Sequence, residues 1–472
     1  MTDKEKKRTL LLLGSIIFIF VLMMVYLSYF QFFKADKMKH SAGNRRNFIE
    51  EETVVRGDIF DRNGEVLASS NSVEENYKRN YSYPELYSHI IGYSDKTLGK
   101  TGLEAAYNDY LLNKTNVGLV DAIKRYLSPE EMKGNSLVLT VDNLIQKKTH
   151  ELMQGKKGAV VALNPKTGEV YSMVSMPDFN PSTIAEDWAS INENSDGQLF
   201  NRAIKGKYHP GSIFKVVTAA SFLRDANLDL KYVHTGEEIV DGYKFHDTTK
   251  KSLGEVGLET AFTYSLNTYF ANKVMAMGKN TFGKTAEDFM FNKNIPFELS
   301  VTESVFNYKD DISKVDIASS AIGQGKVLTN PMNMALVAAG VANEGLIVEP
   351  HIIKRIEDAS GNVIKSTETK ELNRAVSVEI ADKLKDMMVD VVNKGTGKSA
   401  AIKGIQVAGK TGTAQNESEN EHTWFIGFAP AENPVIAIAV VLEKSGGTGS
   451  TEAAPIAREI IRTAINRLNT IQ

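Results

Sequence analysis

No charged residue occurs between positions 10 and 33, and the apolar run is long enough to cross a bilayer, which takes roughly 20 residues. The pattern predicts a transmembrane helix there. Residues 35–150 then turn polar, rich in Tyr and Asn and short of long apolar periods, which predicts an irregular pedestal. A core-like pattern opens at Gly158-Ala159-Val160-Val161-Ala162-Leu163 and persists to the end of the chain. Asn164-Pro165-Lys166-Thr167-Gly168, followed by residues 169–174, completes a hairpin. Further on, Ile213, Phe214, Val216, Val217, Ala219, Ala220, Phe222 and Leu223 leave no polar face, the mark of a helix buried inside a domain. Residues 424–429 and 435–442 read as neighbouring strands. Residues 455–468 place Ile456, Ile460, Ile461, Ala464, Ile465 and Leu468 on one helical stripe. Strands at both ends with helices between them predict an α+β fold, an antiparallel sheet covered by helices, with a helical subdomain around Ser212 and Ser265.

Charge adds less than the apolar pattern. Lys4, Lys6, Lys7 and Arg8 precede the first span, but Lys34, Lys37, Lys39, Arg45 and Arg46 follow it, so counting basic residues leaves the orientation open. A cleaved signal peptide is the competing reading of this segment. Against it, the run exceeds the roughly 7 to 15 residues of a signal core and no small-x-small site follows. Over 472 residues the net charge is −3, which leaves no basic footprint for nucleic acid. Cysteine is absent, which removes disulfides, thiol catalysis and cysteine metal sites.

The candidate chemistry begins at Ser212-Ile213-Phe214-Lys215, the one Ser-x-x-Lys in the chain. Residues i and i+3 are neighbours on a helix. Pro210-Gly211 places Ser212 at or near the first helical position, where free N–H groups favour negative charge. Burial in the apolar run 216–223 lowers the proton affinity of Lys215 from a free pKa of roughly 10.4, and a neutral lysine can take the proton of Ser212. The bland alternative has Ser212 capping a core helix while Lys215 reaches solvent. Two later motifs bear on that choice, Ser265-Leu266-Asn267 and Lys410-Thr411-Gly412-Thr413, the second after a strand-like stretch at 405–408. The triplet at Lys166-Thr167-Gly168 sits in the hairpin turn and reads as structural. His209 lies three residues before the serine, but no Gly-x-Ser-x-Gly surrounds it, and His422 reads as a strand or loop residue. The histidines show no His-Glu-x-x-His spacing, so no metal site and no cofactor are expected. Glu50-Glu51-Glu52 reads as a solvated run and Glu104 as a brace.

The order Ser-x-x-Lys, Ser-x-Asn, Lys-Thr-Gly, together with its flanks, resembles the class B penicillin-binding proteins, the peptidoglycan D,D-transpeptidases. Arg56-Gly57-Asp58-Ile59-Phe60-Asp61-Arg62-Asn63-Gly64 is similar to that family's N-terminal signature, and Gly99-Lys100-Thr101-Gly102-Leu103-Glu104 to its Gly-x-x-Gly-x-Glu element. Thr140-Val141-Asp142, Ile322-Gly323-Gln324-Gly325, Thr329-Asn330-Pro331 and Trp424-Phe425-Ile426-Gly427-Phe428-Ala429-Pro430 follow in family-like order. Ile213 departs from it, since the family usually carries Thr there.

The resemblance implies a penicillin-binding transpeptidase fold divided into a cytoplasmic tail (1–9), an anchor (10–33), a dimerisation-like pedestal (34–150) and a transpeptidase domain (151–472). Ser212 would be the nucleophile, Lys215 its base, Ser265 a proton relay, and Asn267 the holder of Lys215 and of a substrate amide. Lys410 would add a second charge that depresses Lys215. Thr411 and Thr413 would bind the terminal carboxylate, Gly412 would permit close approach, and the N–H groups of Ser212 and Thr413 would form the oxyanion hole. The implied partners are peptidoglycan stem peptides, β-lactams and a polytopic membrane glycan polymerase of the SEDS family. The implied place is a single-pass membrane protein with its catalytic domain outside. A β-lactamase, a β-lactam sensor and a wall-synthesis scaffold are the other readings, the sensor weakened because only residues 1–9 would lie inside.

Overall fold

The computed structural model describes residues 2–33, 54–73, 76–115, 133–248, 252–415 and 420–471. Glu50-Glu51-Glu52 and the basic residues that follow the first span lie outside them. Asp3–Phe33 is one helix, and its Lys6–Phe30 stretch is long and apolar enough to cross a membrane, with none of it buried against protein. It is apolar all round, which suits lipid on every side.

The pedestal is built on a six-stranded sheet in the order Val363–Ser366, Ile353–Glu357, Ser136–Leu139, Ile59–Phe60, Val66–Val73, Asn76–Tyr81. Two of its strands come from beyond residue 350, so the sheet draws on both sides of the 150/151 division. Glu104 braces this region, as its sequence position suggested. Its carboxylate is fully buried and pairs with Arg56 Nε and Arg79 Nε, while the guanidinium of Arg56 also donates to Asn108 Oδ1 at 2.7 Å.

The second sheet has five antiparallel strands in the order Ala408–Ala414, His422–Ala429, Ile436–Leu442, Gly158–Leu163, Val170–Met176. Alternation along each strand sends side chains to two cores. Val160, Ala162, Phe425, Ile438 and Val440 pack with Ile456, Ile460 and Ile461 of the C-terminal helix Ala454–Ile471. Ala159, Val161, Trp424, Ile426 and Ala439 face the opposite core with Leu336 of Pro331–Ala342, a helix buried along its whole length. Both faces are covered, so these strands read as unbroken apolar runs. The Lys166-Thr167-Gly168 copy lies in the turn of the hairpin, where Asn164 Oδ1 accepts from the N–H of Lys166 at 2.8 Å and of Thr167 at 3.2 Å. The strand that carries Lys410 is an edge strand, and the helical subdomain stands beside it.

Candidate active site

Ser212 lies in a 3-10 turn, Gly211–Phe214, that runs directly into the α-helix Lys215–Arg224. Gly211 makes the entry possible: its φ of +56° is left-handed, and a Cβ there would stand 2.7 Å from Thr413 O. Its N–H donates to Gly323 O at 2.8 Å, which ties the Ile322-Gly323-Gln324-Gly325 segment to the site. Phe214 anchors the turn from below among the rings of Phe282, Phe291 and Phe306. Ser212 itself is partly exposed, whereas residues 215–222 are all buried.

Lys215 has no exposed surface, which removes the alternative that it reaches solvent. Its Nζ donates to Asn267 Oδ1 at 2.7 Å, Ser265 O at 2.8 Å and Ser265 Oγ at 3.1 Å, above the ring of Phe270. Lys410 Nζ, equally buried, donates to the same Ser265 Oγ at 3.0 Å and to Thr411 O at 3.1 Å. One hydroxyl therefore bridges two buried lysines. Burial holds the Lys215 amine well below the usual lysine range, and the neighbouring Lys410 lowers it further while Asp247 opposes the shift. Burial alone brings Lys410 down to about 7. Ser265 holds its place with a left-handed φ of +59° in the turn that starts the helix Asn267–Met277.

Ser212, in the 3-10 turn, precedes Lys215, the first residue of the α-helix, by three positions, but among the described residues the Ser212 hydroxyl has no hydrogen-bond partner, Lys215 included. Gly412 sits where the edge strand crosses the serine turn, since a Cβ there would meet Ile213 Cγ2 and Pro210 O at 3.0 Å. The hydroxyl of Thr411 bonds Thr396 Oγ1 at 2.7 Å, and Thr413 Oγ1 accepts from Gly449 N at 3.4 Å. The geometry thus gathers Lys215, Ser265, Asn267 and Lys410 by direct bonds, with Ser212, Gly412 and Thr413 across the same junction. His209 turns away from the serine: its Nδ1 bonds Val327 O at 2.9 Å. His422 opens a strand and accepts from Lys444 N at 3.2 Å. Thr396, Asp247 and His246, whose carbonyl accepts from Asn267 Nδ2 at 3.0 Å, carry no motif in the sequence and become visible only in the fold. Among the described residues no group of His, Asp and Glu is arranged to hold a metal ion.

Comparisons with known proteins bear on the fold and the family. Residues 158–462 match the family described as penicillin binding protein transpeptidase domain, and residues 56–137 the penicillin binding protein A dimerisation domain. The peptidoglycan D,D-transpeptidase PbpA of Mycolicibacterium smegmatis is 30% identical over 486 residues, covering 96% of this chain and 97% of the relative. The peptidoglycan D,D-transpeptidase MrdA of Acinetobacter baumannii is 31% identical over 446 residues, covering 81% of this chain and 66% of that longer protein. Among solved structures, penicillin-binding protein A of M. tuberculosis as its ceftriaxone acyl-enzyme complex superposes with a TM-score of 0.83 at 29% identity, covering 88% of this chain and all of the other. The D,D-transpeptidase domain from Eggerthella lenta gives 0.80 at 32% identity, covering 89% of this chain and all of that domain.

Proposed function

This chain belongs to the class B penicillin-binding proteins, the peptidoglycan D,D-transpeptidases, and from that premise we propose that Ser212 carries the acyl group in a cross-linking reaction run by Lys215, Ser265, Asn267 and Lys410. The observation that carries the proposal is the single hydroxyl shared by two buried lysines. Two like charges so close do not both keep their protons, so one amine is neutral at physiological pH. Lys215 is that amine, because burial and Lys410 both act against its charge. A neutral amine has two N–H groups, which match its two shortest bonds, to Asn267 Oδ1 and Ser265 O; its lone pair then accepts from the Ser265 hydroxyl at rest and takes the proton of Ser212 when the reaction begins.

Ser212 Oγ then bonds to the carbonyl carbon between two terminal D-alanines, and the oxyanion takes the N–H groups of Ser212 and Thr413. Losing one such donor costs about 2.7 to 4 kcal/mol of barrier. Ser265, bonded to both lysines, passes the proton to the departing amine, and the C–N bond breaks to leave an ester on Ser212 and free D-alanine. An amine of a neighbouring stem peptide attacks the ester and loses its proton along the same relay, which forms the new peptide bond and restores the serine. The hydroxyls of Thr411 and Thr413 hold the donor's carboxylate, and the free edge of the Ala408–Ala414 strand receives its backbone.

The same proposal divides the chain into a tail (1–9), an anchor (10–33), a pedestal (34–150) and the transpeptidase domain (151–472). The span Lys6–Phe30, roughly 37 Å long at 1.5 Å per residue, holds the protein in the membrane with the catalytic domain outside. The pedestal and anchor would meet a polytopic glycan polymerase of the SEDS family, which makes the strands to be cross-linked. Intact-protein mass spectrometry with benzylpenicillin tests the central step. A long-lived adduct on wild type that disappears in Ser212→Ala, with a rate that rises as Lys215 loses its proton, is the expected result. Labelling that persists in Ser212→Ala overturns it, and rapid turnover of the adduct favours a β-lactamase.

A further inference from the structure

The helix Asn267–Met277 starts from Leu266, an N-cap residue with no side-chain acceptor, so nothing local satisfies the first-turn N–H groups. Asp247 does so from another loop. Its Oδ1 accepts from Thr268 N at 3.2 Å and its Oδ2 from Thr268 Oγ1 at 2.5 Å. The same Oδ2 faces His234 Nε2 at 3.0 Å, and His234 Nδ1 accepts from Leu253 N at 3.2 Å, which puts the ring proton on Nε2 and makes it a donor to Asp247. Both side chains are buried. One residue earlier, His246 O holds Asn267 Nδ2. Residues 246 and 247 therefore clamp Asn267 and Thr268, the first two residues of the helix, which Leu266 separates from the left-handed Ser265.

We propose that Asp247, oriented by His234, is a positioning residue for acylation: its carboxylate caps the Asn267 helix so that Asn267 and Ser265 stay aimed at Lys215, and its negative charge bears on the Lys215 amine. The inference rests on the reading of Lys215 as the base. The charged groups acting on Lys215 are Lys410 from the edge strand, which lowers its proton affinity, and Asp247, which raises it. Beside Asp247 stand His234 and Tyr232; the Tyr232 hydroxyl, pushed up to about 12 chiefly by burial, stays protonated and donates to Glu238 at 2.9 Å.

The sign of the effect follows from these charges. Acylation needs neutral Lys215, so its rate rises with pH through the Lys215 pKa. Removing the Asp247 charge lowers that pKa and moves the rising limb to lower pH.

The test measures benzylpenicillin acylation on the full chain across the range in which a buried lysine titrates. Asp247→Asn keeps the shape and drops the charge. Its limb should move to lower pH while the plateau falls about tenfold or more, since a misplacement of about 1 Å costs up to about 100-fold. Thr268→Val, a milder change, should lower the plateau and leave the limb in place. A limb and plateau that both match wild type in Asp247→Asn overturn the inference. Hydrogen exchange gives a readout independent of penicillin: residues 267–277 should exchange faster in Asp247→Ala than in wild type. If wild type forms no adduct, the functional reading fails by itself, and unchanged exchange in that helix then overturns the positioning role as well.

Discussion

The pedestal and the catalytic cleft both bury charge, and they handle it in opposite ways. In the pedestal, Arg56 and Arg79 enclose the buried Glu104 carboxylate. Burial pushes that carboxyl up, and the two guanidiniums more than offset it, so it stays below its ordinary range and ionised. In the cleft, Lys215 and Lys410 share a neutral hydroxyl, and among the described residues Asp247, which is bonded to Thr268 and not to Lys215, is the one anion bearing on Lys215. An ion without a partner inside protein costs several kcal/mol, and the protein avoids the cost by losing a proton. A buried charge that is matched acts as a fastener. A buried charge left unmatched becomes a base.

The largest effect expected from this contrast is in the pedestal. Glu104→Gln leaves two guanidiniums without their anion, and breaking a buried pair this way costs about 3 to 5 kcal/mol. Hydrogen exchange should show lost protection across residues 54–115 while benzylpenicillin still acylates Ser212 at the wild-type rate. An equal loss at both places would mean that the two regions do not separate. Acid should weaken the same fastener: the stability from Glu104 is present above the free carboxyl pKa of roughly 4.3 and is lost as pH falls through its lower folded value.

The second effect has the opposite sign. Lys410 is held at about 7 against a free value of roughly 10.4, so between those limits the unfolded chain binds a proton that the folded chain does not. Stability then rises with pH through that window. Lys410→Met removes the deficit, which has a ceiling of about 4 to 5 kcal/mol below pH 7. The lost bonds to Ser265 Oγ and Thr411 O reduce the expected gain to about 2 kcal/mol at neutral pH. A thermal midpoint that increases at neutral pH, with the gain vanishing above the free lysine pKa and acylation abolished, is the expected outcome. An unchanged or lower midpoint would mean that Lys410 is a paired, structural cation.

This contrast was half legible in the sequence. The apolar run around Ser212 announced a buried lysine, because a helix with no polar face leaves Lys215 nowhere to send its amine. The strands 424–429 and 435–442 and the helix 455–468 could be read for the same reason, as their residues are buried on both faces or along one stripe. The pedestal sheet could not, since its strands are short, Ile59–Phe60 being two residues, and its partners at 353–366 lie far away in the chain. The Lys-Thr-Gly triplet shows where local reading ends. It stands at 100–102, 166–168 and 410–412, and only the last lies on an edge strand beside the serine. Asp247, His234 and Thr396 left no mark because their roles depend on loops that meet only after folding.

Thr396 supplies the smallest and most selective test. Its hydroxyl bonds that of Thr411 at 2.7 Å, so one of the two is a donor and the Thr411 rotor is fixed by a neutral partner. Thr396→Val keeps the shape and removes the bond, a loss of about 0.5 to 1.5 kcal/mol. If Thr411 grips the donor carboxylate, that loss appears as an acylation rate lower by about 2- to 12-fold. Its pH profile should keep the wild-type position, because no charge has changed near Lys215. A shifted limb would show that Thr396 acts through the proton balance of the two lysines and not through Thr411, and the division between charge-setting and substrate-gripping contacts would have to be redrawn at this strand.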